Sequence, residues 1–122
     1  MGKTQDIGNF GEDFTVNYLK KQGYKIIERN YHSRFGEIDI IAANKKVIAF
    51  VEVKARGEKS LYTPREAVDF SKQQKCRKTA EIYLVNNPNN LQPRFDVSEL
   101  VIKENENHKP KVTEHNYIEN AF

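Results

Sequence analysis

The stretch from Gly36 to Arg56, GEIDIIAANKKVIAFVEVKAR, constrains this chain more than any other. It reads as two β-strands joined by a tight turn at Asn44-Lys45. The second strand, Val47 to Lys54, is almost continuously apolar until Glu52 and Lys54 interrupt it, and the first carries Asp39 between Ile38 and Ile40. Acidic residues are depleted from strands, and Asp, Glu and Lys are rarely buried without a partner. Side chains alternate faces with a period of two, so Glu52 and Lys54 share a face, as do Glu37 and Asp39. Paired as a hairpin, the strands can gather Asp39, Glu52 and Lys54 on one face. Two carboxylates buried together need positive charge nearby. Lys54 supplies one charge, and a divalent cation would supply two more.

The rest of the chain limits what surrounds this cluster. At 122 residues, with 38% hydrophobic and 30% charged residues, one domain spanning 1–122 is expected. The opening MGKTQDIGNF lacks the apolar run of a signal peptide, and no later stretch is long enough to span a bilayer. With a single cysteine, Cys76, and no export signal, the expected home is the cytoplasm, away from membranes. The net charge of +3 is unevenly spread: Lys54 to Lys78 holds eight basic and three acidic residues, net +5, which leaves −2 elsewhere. Such a block beside a carboxylate cluster suits an anionic polymer. Taken alone, it reads as a solvated helix face.

In chain order, Asp6 to Gln22 is expected to be helical, with Ile7, Phe10, Phe14 and Tyr18 as the apolar stripe and Gly23 as the stop. Glu12 lies off that stripe, either solvated or reaching the flank of a sheet. A strand is expected over Tyr24 to Arg29, a polar turn over Asn30 to Phe35, and a loop over Gly57 to Tyr62. Thr63-Pro64-Arg65-Glu66 has the form of a capped helix start, and Ser71 to Gln74 that of a second; a short helix near 64–69 and a longer one near 72–86 follow. In the longer helix Lys72, Cys76, Thr79 and Tyr83 form one stripe, so Lys72 stands on a mostly apolar face in the first turn. There it can meet a phosphate, or equally snorkel to solvent. Asn86 to Pro93 is a loop, Arg94 to Ile102 a strand, and Lys111 to His115 a last short strand. Three strands in sequence suggest an antiparallel meander, and the strand–helix–strand crossover suggests that the fourth joins in parallel.

Asp39, then Glu52-Val53-Lys54 in the next strand after a short turn, resembles the PD-(D/E)xK nuclease superfamily. The motif's proline is absent, with Ile38 before the aspartate. FGEIDII, VIAFVEVKAR, the SKQQK helix with Ala80 and Tyr83-Leu84, RFDV and the closing AF are similar to the small bacterial YraN-like proteins, distant relatives of archaeal Holliday-junction resolvases. The resemblance covers nearly the whole chain. It implies an α/β restriction-endonuclease-like core in the order α-β-β-β-α-β, with a mixed sheet flanked by helices. It further implies a metal-dependent nuclease that hydrolyses phosphodiester bonds in DNA, including branched or structured DNA. Asp39 and Glu52 would then bind Mg2+ or Mn2+, with the Val53 carbonyl and Glu12 as further ligands. Lys54 would orient the attacking water or stabilise the transition state. Arg56, Lys72 and Lys75 would contact nucleic acid, and Glu37 would support the ligands. Resolvases act in pairs, so a homodimer is implied by analogy.

Two other functions are compatible with these residues: a nucleic-acid-binding module that does not cut or waits for a partner subunit, and an interaction protein whose buried ion network only holds strands together. His32, His108 and His115 have no zinc spacing and read as surface residues. Cys76 reads as a small core residue. Tyr31, Arg34 and Phe35 can stack on a base or grip a phosphate, but such residues more often fill a sheet edge.

Overall fold

The structure is a computed structural model, and it describes residues 6–58, 68–104, 107 and 109–122. Its elements are helix α1 (Asp6–Lys21), strands β1 (Lys25–Ser33), β2 (Gly36–Ala43) and β3 (Val47–Gly57), helix α2 (Phe70–Asn86), and strands β4 (Gln92–Glu104) and β5 (Pro110–Ile118). The strands form one sheet in chain order, β1-β2-β3-β4-β5. Every neighbouring pair is antiparallel except β3 and β4, which run parallel across the α2 crossover. This is the mixed sheet of a restriction-endonuclease-like core, with β5 added at the edge. Among the described residues, no helix is long and apolar enough to cross a membrane.

The helices cover opposite faces. On one side Val16 and Leu19 of α1 pack on Ile40, Ala42, Ala49 and Val51. On the other, Cys76, Ala80 and Tyr83 of α2 pack on Ile38, Ile41, Ile48 and Phe50. Strands covered on both faces need apolar side chains at successive positions, which is why β2 and β3 read as near-continuous apolar runs.

Several local expectations are corrected. The buried line of α1 is Gly11, Thr15 and Leu19, whereas Ile7 is 40% exposed. The reason is close approach: a Cβ on Gly11 would lie 2.9 Å from the Ala55 Cβ, so the helix can sit this low only where it has no side chain. The polar segment Asn30 to Phe35 is not all turn. β1 runs to Ser33, and only Arg34 and Phe35 turn, with the Ser33 hydroxyl accepting the Phe35 N–H at 3.0 Å. α2 begins at Phe70, capped by Asp69, whose carboxylate accepts the Lys72 N–H at 2.8 Å, and not by Ser71. The expected short helix lies for the most part outside the described residues. The turn after β2 closes on Asn44, whose side-chain oxygen accepts the N–H groups of Lys46 and Val47, each at 2.8 Å.

The sheet is not regular throughout. β2 and β3 pair from Ala43↔Ile48 to Ile40↔Val51, and there their ladder ends. β1 stays with β2 to Ser33↔Gly36, and β4 stays with β3 to Gly57↔Ile102. The sheet therefore forks, with Asp39 on one tine and Glu52, Val53 and Lys54 on the other. Alternation slips at the fork, since Ile38 and Ile41 both face α2 while Ile40 faces α1. Asn30, between the pairs Arg29↔Ile40 and Tyr31↔Ile38, has a left-handed φ of 53°, so β1 kinks beside the slip. Asparagine tolerates that conformation better than most residues.

Candidate functional site

At the fork, a side chain replaces a ladder bond. The Val53 N–H donates to Asp39 Oδ2 at 2.8 Å, where a β2 carbonyl would stand in a continued ladder. In an antiparallel pair a residue's N–H and C=O both address the same neighbouring strand. The Val53 carbonyl therefore faces the opening as well. Asp39 is 8% exposed and Glu52 4% exposed. Lys54 Nζ lies 3.1 Å from Glu52 Oε2, and Lys72 Nζ, arriving from α2, lies 2.9 Å from the same oxygen.

The charges are unevenly matched. Burial, with the Glu52 charge next in weight, pushes the Asp39 carboxyl up to about 7; the Val53 N–H works against this shift, Glu12 adds to it and Lys72 offsets it. Burial also opposes the charge of Lys72, but the hydrogen bond and attraction of Glu52 outweigh it and hold the ammonium above its ordinary pKa. Glu52 is thus well neutralised by two lysines, and Asp39 is left short of positive charge.

The expected residues fall into three groups. Asp39, Glu52, Val53 and Lys54 come together, and Lys72 joins them as closely as Lys54 does. The sequence signal for Lys72 was its place on the buried stripe above Cys76 and Thr79. Glu12 sits at the flank, where its field reaches Asp39 and Arg29 lies 3.4 Å from its carboxylate. Arg56 continues the Glu52 and Lys54 face and donates to the Gly57 carbonyl at 3.2 Å. Lys75 is one turn along α2 with its Cβ beside Gly36, away from the carboxylates. Glu37 is the exception: its carboxylate turns out to His32 Nδ1 at 3.2 Å and gives the site no support.

Among the described residues, no group of three or more His, Cys, Asp or Glu side chains forms a ready metal cage. The donor set is two carboxylates, one facing backbone carbonyl and a third acid at the flank. That set is hard oxygen chemistry and fits magnesium, which takes one or two carboxylates and completes its shell with water and phosphate. It does not fit zinc.

His115 lies on a strand, as expected, but is not a surface residue: on β5 it is half-buried, edge-on to Phe14 and Tyr18, with Nε2 3.0 Å from the Ser98 hydroxyl. Burial lowers its pKa. Ser98 meets the Thr15 hydroxyl at 2.8 Å, which ties α1 to β4. Cys76 is buried as expected, and burial pushes its thiol up to about 12. Tyr31 packs edge-on to Tyr83 with ring centroids 5.2 Å apart.

Comparison with known proteins identifies a family. The model of a family described as "Uncharacterised protein family UPF0102" matches residues 11–100, which include Glu12, Asp39, Glu52, Lys54 and Lys72. A UPF0102 protein of Caldanaerobacter subterraneus subsp. tengcongensis is 45% identical over 117 residues, covering 95% of this chain and 93% of the relative. One from Clostridium botulinum strain Hall is 44% identical over 121 residues, covering 97% and 94%. With a family match across most of its length and relatives this similar from end to end, the chain belongs to the UPF0102, or YraN-like, family.

Proposed function

We propose that this protein is a metal-dependent nuclease that hydrolyses phosphodiester bonds in DNA, branched or otherwise structured DNA included. The observation that carries the reading is the fork itself. A sheet has no structural need to end a buried ladder and place a carboxylate against the freed N–H beside a second buried acid. Asp39, Glu52 and the Val53 carbonyl are the residues that would hold Mg2+ or Mn2+, with Glu12 at the flank. Such an ion, when bound, lowers the pKa of a water and neutralises charge on phosphoryl oxygens.

The chain's own residues supply the remaining parts. Asp39 must give up its proton to act as a ligand, so its elevated pKa ties the site to the absence or presence of a cation. Lys54, rigid on β3 and anchored to Glu52, is a fixed positive charge for the phosphoryl oxygens in the transition state. Lys72 approaches the same point from α2 and meets the strand's phosphates with Arg56 and Lys75. A homodimer would present one such site to each strand of a junction.

Incubating the purified protein with a four-way DNA junction and Mg2+ or Mn2+ tests this. Wild type should nick the junction, and Asp39→Asn or Lys54→Ala should each lose about 100-fold or more in rate. Either variant cutting at the wild-type rate removes the assignment. The double neutralisation of Glu52 from within the chain favours one other reading, a binding module without catalysis. It predicts DNA affinity that falls with salt and no cleavage with any metal.

A further inference from the structure

Beside the fork lies an open groove of about 630 Å3 between the β1–β2 turn and the first turns of α2. Its walls carry Arg34 and Phe35 from the turn, and Phe70, Gln74, Lys75 and Lys78 from the helix; among the described residues that line it none is acidic. Phe70 is 72% exposed, an unusual place for a phenylalanine. The Arg34 guanidinium stands 5.0 Å and the Lys78 ammonium 5.1 Å from the Phe35 ring centre. The groove is tied to the site at both ends. Lys75 is one helical turn beyond Lys72, which reaches Glu52. Its Cβ is 3.5 Å from where a Gly36 Cβ would be, and Gly36 starts the strand that carries Asp39 three residues, roughly 10 Å, further on.

An exposed aromatic ring near a half-buried one, interleaved with cations, fits one ligand chemistry in particular. Bases stack on aromatic faces, cations track the phosphates, and this combination binds single strands without sequence preference. A duplex offers only its phosphates here, because its bases are already stacked. An acidic peptide would use the cations and leave Phe70 bare. We infer that the Arg34–Phe35–Phe70–Lys75–Lys78 groove binds unpaired nucleotides and leads that strand toward Asp39 and Glu52. This rests on the nuclease reading for where the strand goes, and it sharpens the substrate class to DNA with an unpaired segment beside the cleaved bond.

Fluorescence anisotropy with a labelled dT15 strand and a blunt 15-base-pair duplex, both in EDTA, tests the groove apart from cleavage. Wild type should bind dT15 more tightly than the duplex. Phe70→Ala should weaken dT15 binding about fivefold or more and leave duplex binding unchanged, while Phe70→Trp should retain it. Lys75→Ala and Lys78→Ala should each flatten the salt dependence on dT15 by about 0.7 in the log–log slope. Melting temperatures of all variants should match wild type, since these side chains are exposed or half-buried. Wild-type dT15 affinity in a folded Phe35→Ala/Phe70→Ala protein would overturn the inference, as would a duplex bound as tightly as the single strand. A protein that grips dT15 through Phe70 and never cuts loses the nuclease reading and keeps this one. A protein that cuts while Phe70→Ala binds dT15 normally does the reverse.

Discussion

Asp96 and Asp39 are both buried acids in strands of the same sheet, and their surroundings are opposite. Asp96 is fully buried, and donors surround its carboxylate. Arg94 clamps it from the same strand through Nε at 2.9 Å to Oδ1 and an outer guanidinium nitrogen at 2.9 Å to Oδ2. The Tyr117 hydroxyl donates at 2.6 Å and the Asn120 N–H at 3.1 Å, while Arg94 also donates to the Tyr24 hydroxyl at 2.6 Å. Burial and the charge of Asp96 raise the Tyr117 pKa, so that hydroxyl keeps its proton as a donor. The network joins the residue before β1, strands β4 and β5, and the segment after β5. Asp39, by contrast, has one N–H donor among the described residues and a second acid for a neighbour. A saturated buried acid holds a fold together. An under-compensated one, at a place where the sheet opens, leaves a deficit that a cation and a phosphate can fill.

The largest effect expected from this contrast is at Asp96. Asp96→Ala leaves the Arg94 charge buried without its partner and should cost about 3–5 kcal/mol in urea unfolding, whether or not magnesium is present. A loss below about 1 kcal/mol would mean the clamp is incidental. Next in size is the response to metal. Magnesium at a hundred times its Kd should stabilise wild type by about 2.7 kcal/mol, with a matching rise in melting temperature. Asp39→Asn and Glu52→Gln should lose most of that gain, and a variant at Asp96 should keep it. If magnesium shifts the Asp39→Asn protein as much as wild type, the ion binds elsewhere.

The smallest effect concerns protons, and its sign separates the two acids. In the fold Asp39 keeps its proton to about pH 7, against 3.8 ordinarily. The stability that comes with this tighter hold is complete below the lower value and is lost as pH rises through the upper one. Asp39→Asn suffers no such loss and still accepts the Val53 N–H. Without metal it should therefore be more stable than wild type near pH 8, on the order of 1–2 kcal/mol, with the gap closing toward pH 4. A substitution that stabilises at one acid and unfolds at the other would be the clearest expression of their different roles. If Asp39→Asn destabilises at pH 8, Asp39 belongs with Asp96 as a structural residue.

Much of this was legible before any coordinates. Alternation and turn formers over Gly36 to Arg56 are short-range signals, so β2, β3 and their apolar character could be read directly. A helix between two strands implies a parallel return, and β4 obeys it. Asp39, Glu52 and Lys54 stood out because charge in an apolar strand is costly. The apolar stripe of α1 was misplaced for a reason of the same kind: periodicity weighs side chains, and the helix sinks deepest at Gly11, which has none.

What the amino-acid order alone determined is the order and type of the elements, and which few charged groups lie under them. Only the tertiary structure decided that β2 joins β3 no earlier than Ile40, that Val53 turns its N–H to Asp39, and that Lys72 rather than Glu37 completes the cluster. Those outcomes depend on where α2 is pressed onto the sheet by Cys76, Ala80 and Tyr83 against Ile38 and Phe50. Contacts between residues distant in the chain leave no local period or turn signature, because packing sets them and the backbone's near neighbours do not.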